Sequence, residues 1–235
     1  MEKKFNGEEQ IGEIVSDFPG ASNLFKKYNI DFCCGGKRTL TKALRQRKLD
    51  EEAFLQQLNE AYRKRQSNQN TVDWRKARYS ELVDHIMKTH HDYLREELPV
   101  LSAFVTKVAY RHGAAHPELT ELHPLFHRLK EELEEHLDKE EEEIFPLVKE
   151  YEETVSRDVL DQAVQVIDRL EAEHDQTGEL LKEMRRVSKD YALPEDACRT
   201  YTLSFSKLEE LEADMFQHIH LENNVLFERL RQSVR

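Results

Sequence analysis

Apolar residues recur at steps of three and four along most of the chain, and from about residue 79 that spacing sustains four long helical runs, 79–111, 120–151, 156–189 and 195–231. The first stripe reads Val83, Met87, His91, Leu94, Leu98, Leu101, Val105, and the second Phe126, Leu129, Leu133, His136, Glu140, Ile144, Leu147. The third reads Ala163, Val166, Leu170, His174, Thr177, Leu181, Met184, and the fourth Leu208, Leu211, Met215, His218, Glu222, Val225. Gly113 to Pro117 ends the first run, and Leu193-Pro194 separates the third from the fourth. Short connections between long helices predict antiparallel neighbours, hence an up-down-up-down four-helix bundle over residues 79–235.

Ahead of the bundle the pattern breaks into shorter pieces. Ile11, Ile14, Val15 and Phe18 lead to Pro19, a second helix covers Ala21 to Tyr28, a third starts near Thr39, and a fourth follows Asp50 as N-cap. Glu51 and Glu52 sit in that helix's first turn, where the dipole favours negative charge. Residues 1–65 therefore read as a small N-terminal helical domain, and the polar, aperiodic stretch within 66–78 as a linker. Seven glycines and six prolines supply few turns for a β fold, and 35% charged residues with this periodicity complete an all-α expectation.

Charge narrows the partners. The net charge of −12 argues against nucleic acid, although residues 1–78 carry 16 Lys/Arg against 11 Asp/Glu and the remainder 19 against 36. No stretch approaches the roughly 20 apolar residues that span a bilayer, and Met1-Glu2-Lys3-Lys4-Phe5 lacks the apolar run of a signal peptide. The expectation is a cytoplasmic protein without a membrane partner.

Polar residues on the stripes carry the candidate chemistry. With 47 acidic residues in 235, about two of the 11 histidines would have an acidic residue four places on by chance, and three do, so the His-x-x-x-Glu spacing alone proves nothing. His136 with Glu140 and His218 with Glu222 lie instead on faces that must be buried, and His91 and His174 occupy the other two stripes. The arrangement occurs twice: His136 follows His91 by 45 residues, His218 follows His174 by 44, and Phe145 and Phe227 each lie 9 past their histidine. A buried ion costs several kcal/mol, of order, even after relaxation, and a cation removes that penalty. Four imidazoles and two carboxylates at mid-helix thus predict two metal ions, each held by two histidines and bridged by Glu140 and Glu222, with oxide, hydroxide or water in the remaining places. Such mixed ligands suit iron, manganese or zinc. The histidine-rich His-x-x-x-Glu order differs from the Glu-x-x-His of ferritin-like bundles.

This residue set resembles the hemerythrin-like di-iron bundles. Together, Asp31-Phe32-Cys33-Cys34-Gly35-Gly36-Lys37 and His218-Ile219-His220-Leu221-Glu222-Asn223-Asn224-Val225-Leu226-Phe227 are similar to the repair-of-iron-centres (ScdA/YtfE-type) family of iron-sulfur cluster repair proteins. The resemblance implies two iron ions on His91, His136, Glu140, His174, His218 and Glu222, and a cytoplasmic homodimer. It also implies repair of iron-sulfur proteins damaged by nitric oxide or peroxide, by iron supply. Two other functions are open: a di-iron nitric oxide or peroxide reductase, and a hemerythrin-like oxygen or redox sensor. His90 is an adjacent competitor to His91 but lies off the stripe. His85, His123, His127 and His220 are expected in solvent, and His112 and His116 flank the Gly113 loop.

Adjacent Cys33 and Cys34 have Cα atoms about 3.8 Å apart, short of the roughly 4.4 to 6.8 Å a disulfide prefers. Gly35 and Gly36 would permit unusual backbone there, and Lys37, Arg38 and Lys42 would favour thiolate. Strengthened by the resemblance, these features assign Cys33 and Cys34 a redox or iron-transfer role. Cys198 is read as structural.

Overall fold

The computed structural model describes residues 4–65 and 72–234; of the expected linker, residues 66–71 lie outside the described ones. The described residues form helices and no strand, with one isolated backbone bridge between Gln10 and Thr39. None of these helices is long and apolar enough to cross a membrane. The chain packs as two compact units, one of Met1–Leu82 with Phe216–Arg235 and one of Val83–Met215.

The first unit contains α1 (Ile11–Asp17), α2 (Ala21–Lys27), α3 (Leu40–Gln46) and α4 (Glu51–Arg65). Asp50 caps α4, its Oδ1 accepting from the Ala53 amide at 3.0 Å. Phe5, Ile11, Ile14, Phe25, Phe32, Leu44, Phe54 and Leu58 form the core, with the Phe25 and Phe54 rings stacked at 5.9 Å. Burial of each such side chain contributes about 1.5–3 kcal/mol. Asn59 clips the N-terminal segment to α4, accepting from the Phe5 amide at 3.0 Å and donating to its carbonyl at 2.9 Å. Phe216, from the C-terminal stretch, packs on the same core.

α5 (Tyr79–Ile86), which enters the second unit at Val83, runs through a π-turn at Met87–His91 into α6 (Asp92–His112). Next come α7 (Glu118–Lys139), a π-turn at Glu140–Ile144, and α8 (Phe145–Thr154). α9 (Arg157–Val187) and α10 (Arg199–Leu221) follow; beyond Met215, α10 belongs to the first unit and continues through a π-turn at Glu222–Leu226 into α11 (Phe227–Ser233). Side-chain bonds fix the register within the second unit. Arg95 reaches Asp138 while Thr106 reaches His123, so α6 and α7 run antiparallel. His136 bonds Glu173 while Arg169 bonds Glu143, so the α7–α8 run opposes α9. His90 bonds Asp214, Lys207 bonds Glu97 and His112 bonds Cys198, which sets α10 antiparallel to the α6 run. Arg185 on α9 grips Glu212 on α10 with its Nε 3.0 Å from both carboxylate oxygens. These are the helices and directions of a hemerythrin-like bundle.

Three stripe positions differ from the sequence reading. Met87, at the start of the first π-turn, is half-buried; Val148 is buried and Leu147 only partly so, because the residue added by the π-turn at Glu140–Ile144 shifts the buried face by one; on α9 the core position is Ile167, with Val166 half-buried.

Candidate metal centre

Each of the three π-turns carries a residue singled out by the stripes: His91 ends the first, Glu140 opens the second and Glu222 opens the third. A π-turn widens the helix by one residue and is a recurrent feature of functional sites. His174 sits on an uninterrupted helix. All six candidates are buried, from 0% exposed at Glu140 and Glu222 to 4% at His136.

Within the second unit, four of them converge. Glu140 Oε1 lies 3.2 Å from His136 Nε2 and 3.8 Å from His174 Nε2, and its Oε2 lies 3.3 Å from His91 Nε2. The two imidazole Nε2 atoms of His136 and His174 face each other at 2.9 Å. A shared proton can reconcile two lone pairs so placed, and a cation can do so for all of these atoms at once. One ligand atom each of His136, Glu140 and His174 falls within 4.8 Å of the others. The Phe145 ring backs His91 at 5.4 Å, which gives a packing reason for the phenylalanine nine residues beyond His136.

The outer nitrogens are engaged as well. His91 Nδ1 meets Glu141 Oε1 at 2.8 Å, and Arg95 donates to the same oxygen at 3.1 Å. His136 Nδ1 meets Glu173 Oε2 at 2.7 Å, and Lys139 holds the other oxygen of Glu173 at 2.7 Å. A carboxylate on the far nitrogen fixes the ring's orientation and makes the inner nitrogen a better donor. Glu141 and Glu173 are therefore partners of the candidate ligands that the stripes did not reveal; their only signal is adjacency to Glu140 and His174.

The electrostatics follow from that pairing. Burial alone would lower the His136 pKa, but the Glu140 charge, with hydrogen bonds to Glu140 and Glu173, raises it to about 9. Burial pushes Glu140 up, and the facing His136 overcomes it, holding the carboxyl well below its ordinary range. The hydrogen bond from His136, helped by Lys139, brings Glu173 down to about 2. Three imidazole nitrogens turned toward one buried carboxylate supply a mixed nitrogen and oxygen donor set that suits iron.

Within the first unit, His218 Nε2 lies 3.1 Å from Glu222 Oε1, one helical turn on. His220 departs from expectation. It is 2% exposed, its ring lies edge-on to Phe32 at 5.9 Å, and burial lowers its pKa to about 4 against a hydrogen bond involving the Phe32 backbone. The α10 stripe did not reveal this, because the residue that covers His220 comes from the N-terminal segment. His90 is likewise buried, bonded to Asp214 at 2.8 Å. His85, His123 and His127 are half-buried, and the last two share Thr106 Oγ1. At the Gly113 loop, His116 pairs with Asp196 at 3.0 Å, and His112 Nε2 lies 3.2 Å from Cys198 Sγ.

The cysteines also correct the reading. The Cys33 thiol faces Asp31 Oδ1 at 3.3 Å and Cys34 Sγ at 3.8 Å, and one ligand atom from each of these three residues lies within 4.8 Å of the others. The hydrogen bond with Cys34, burial and the Asp31 charge all raise the Cys33 pKa well above its ordinary value, so the expected thiolate is not favoured there. Arg38 does not offset this, because it is directed to the carbonyls of Gly35 and Asp31 and to Gln46. Neither Gly35 nor Gly36 uses a left-handed backbone; among described glycines only Gly7 does, at φ 100°.

Two family models divide the chain. Residues 7–62 match ScdA_N, a "Domain of Unknown function (DUF542)", and residues 82–230 match the "Hemerythrin HHE cation binding domain". The second span contains all six candidate ligands. Among similar proteins, the "Iron-sulfur cluster repair protein ScdA" of Staphylococcus haemolyticus is 38% identical over 221 residues, 93% of this chain and 96% of its own. The ScdA of Staphylococcus epidermidis is 32% identical over 224 residues, 95% and 98% of the two chains. The "Iron-sulfur cluster repair protein YtfE" of Shigella boydii is 37% identical over 222 residues, 94% and 96%. With both matched regions in order and similarity of this extent, the chain belongs to the ScdA/YtfE family of iron-sulfur cluster repair proteins.

Proposed function

We propose that this protein repairs damaged iron-sulfur clusters by supplying iron, and that His91, His136, Glu140, His174, His218 and Glu222 would hold the two ions. The observation that carries the chemistry is the convergence of His136, His174 and His91 on Glu140, supported by similarity to cluster repair proteins along nearly the whole chain. A di-iron centre would supply ferrous ion and electron transfer. The chain's own residues hold it with imidazole and carboxylate rather than thiolate, a donor set compatible with iron leaving again.

Asp31, Cys33 and Cys34 form a second, smaller donor group. In this reading they receive iron on its way out, or exchange electrons with the damaged cluster. Damaged iron-sulfur proteins are the targets and nitric oxide or peroxide the agents of damage. The protein works as a cytoplasmic homodimer, in a reducing compartment that keeps these thiols free.

The test loads the full chain with 57Fe and mixes it with a [4Fe–4S] enzyme inactivated by nitric oxide. Recovery of activity with label in the recovered cluster is the expected outcome. Iron retained by the donor with no recovery overturns delivery, and sustained nitric oxide consumption alongside retention would point to a reductase instead.

A further inference from the structure

Asn224 lies in the π-turn Glu222–Leu226, two residues past Glu222, and its side chain points to the cysteine loop of its own packing unit. Its Nδ2 donates to the Cys33 carbonyl at 2.9 Å and approaches that of Phe32 at 3.4 Å. Its Oδ1 lies where two glycines leave room. A Cβ on Gly12 would meet Asn224 Oδ1 at 2.5 Å and Cγ at 2.8 Å, and one on Gly36 would meet the same oxygen closer still. Those glycines are joined to each other, the Gly12 amide donating to the Gly36 carbonyl at 2.9 Å. Neither has the left-handed backbone that would otherwise account for glycine, so what these positions need is the absence of a side chain. Three separate stretches, around residues 12, 33–36 and 224, thus meet at a single carboxamide.

We infer that Asn224 is a positioning residue that latches the Cys33–Cys34 loop to the turn carrying Glu222, keeping Cys33 buried and setting how readily the thiol pair opens. The two sulfurs cannot be placed by their own helix, because none runs through residues 31–36. The loop has the Asp31 turn, with Gly35 N bonded to Asp31 Oδ1 at 3.0 Å, to shape it locally. Asn224 adds an anchor from 191 residues away that is bonded to the cysteine's own carbonyl. Its use in repair rests on the role given above to Cys33 and Cys34; the latch itself does not.

The test compares full-length protein with Asn224→Ala and Asn224→Asp, the latter keeping the volume but losing the donor. Iodoacetamide alkylation of Cys33 is resolved by fragment mass spectrometry, and amide exchange is followed over the whole chain. Loss of the latch is expected to speed Cys33 alkylation, and exchange confined to residues 32–38, by about fivefold to tenfold, the effect of one hydrogen bond. Gly12→Ala should act alike by displacing the carboxamide, and should add little in an Asn224→Ala background because both changes remove one interaction. Unchanged Cys33 alkylation, or exchange that rises equally across α1–α4, overturns the inference. Loosening of the loop with an unchanged rate of cluster repair would leave the latch standing and show that opening of the loop does not limit repair.

Discussion

His136 and Glu173 are joined by a 2.7 Å contact between Nδ1 and Oε2, linking α7 to α9 on the outer side of the imidazole, while Nε2 of the same ring points inward to Glu140 at 3.2 Å. The ring is thus held from behind by the protein itself. Replacing Glu173 with Gln keeps the shape but removes the charge that supports the ring. The variant is expected to bind ferrous iron about tenfold to hundredfold more weakly, as measured by competition with a coloured chelator. A change below twofold would remove Glu173 from the metal's support.

His90 and His91 are neighbours with different partners. His91 faces Glu140 and Glu141, whereas His90 bonds Asp214. His91→Ala should lose bound iron. His90→Ala should keep its iron yet melt earlier, because a buried bond to a carboxylate is removed at a cost of about 1–3 kcal/mol. Iron analysis and thermal melting of the two variants separate the roles, and the reverse pattern would make His90 the ligand.

Cys33 should be a slow nucleophile at neutral pH. Its pKa is raised by Cys34, burial and Asp31, so the neutral thiol persists through pH 7 and 8 and thiolate forms only above the ordinary range. Its alkylation rate should climb about tenfold per pH unit with no plateau below pH 9. A plateau reached by pH 8 would show a thiolate already present.

Val155 ends α8 with φ 51°, a left-handed conformation that burdens a β-branched residue, and its side chain is 72% exposed. Val155→Gly should stabilise the fold by about 1 kcal/mol, since relief of the steric cost outweighs the added freedom of the unfolded chain. A lowered denaturation midpoint in urea would contradict this.

Much of this architecture is legible in the sequence, because burial and helical period are coupled. The stripes place histidine and glutamate where only apolar residues should stand, and the structure buries each of them. The π-turns were not legible there. Two consecutive steps of four, as in His136-Glu140-Ile144, also occur at Val166-Leu170-His174 on the uninterrupted α9, so this spacing does not distinguish a π-turn from an ordinary helix. Other features depend on contacts the local pattern does not encode. Glu141 stands in a run of four glutamates that looks like a solvated face, yet it holds His91 Nδ1. His220 is buried by Phe32, and Asn224 acts on Cys33, each across about 190 residues of sequence. The basic residues near Cys33 suggested a thiolate, but its sulfur is hydrogen-bonded to Asp31 Oδ1 and Cys34 Sγ.

The most direct test of the metal centre is Mössbauer spectroscopy with quantitative iron analysis on anaerobically purified full-length protein, alongside a variant with Glu140 and Glu222 both changed to Leu. Two irons per chain, magnetically coupled, and their loss in the variant are expected. A folded wild-type chain that takes up no iron, or a variant whose iron content matches the wild type, would contradict a di-iron centre bridged by these carboxylates.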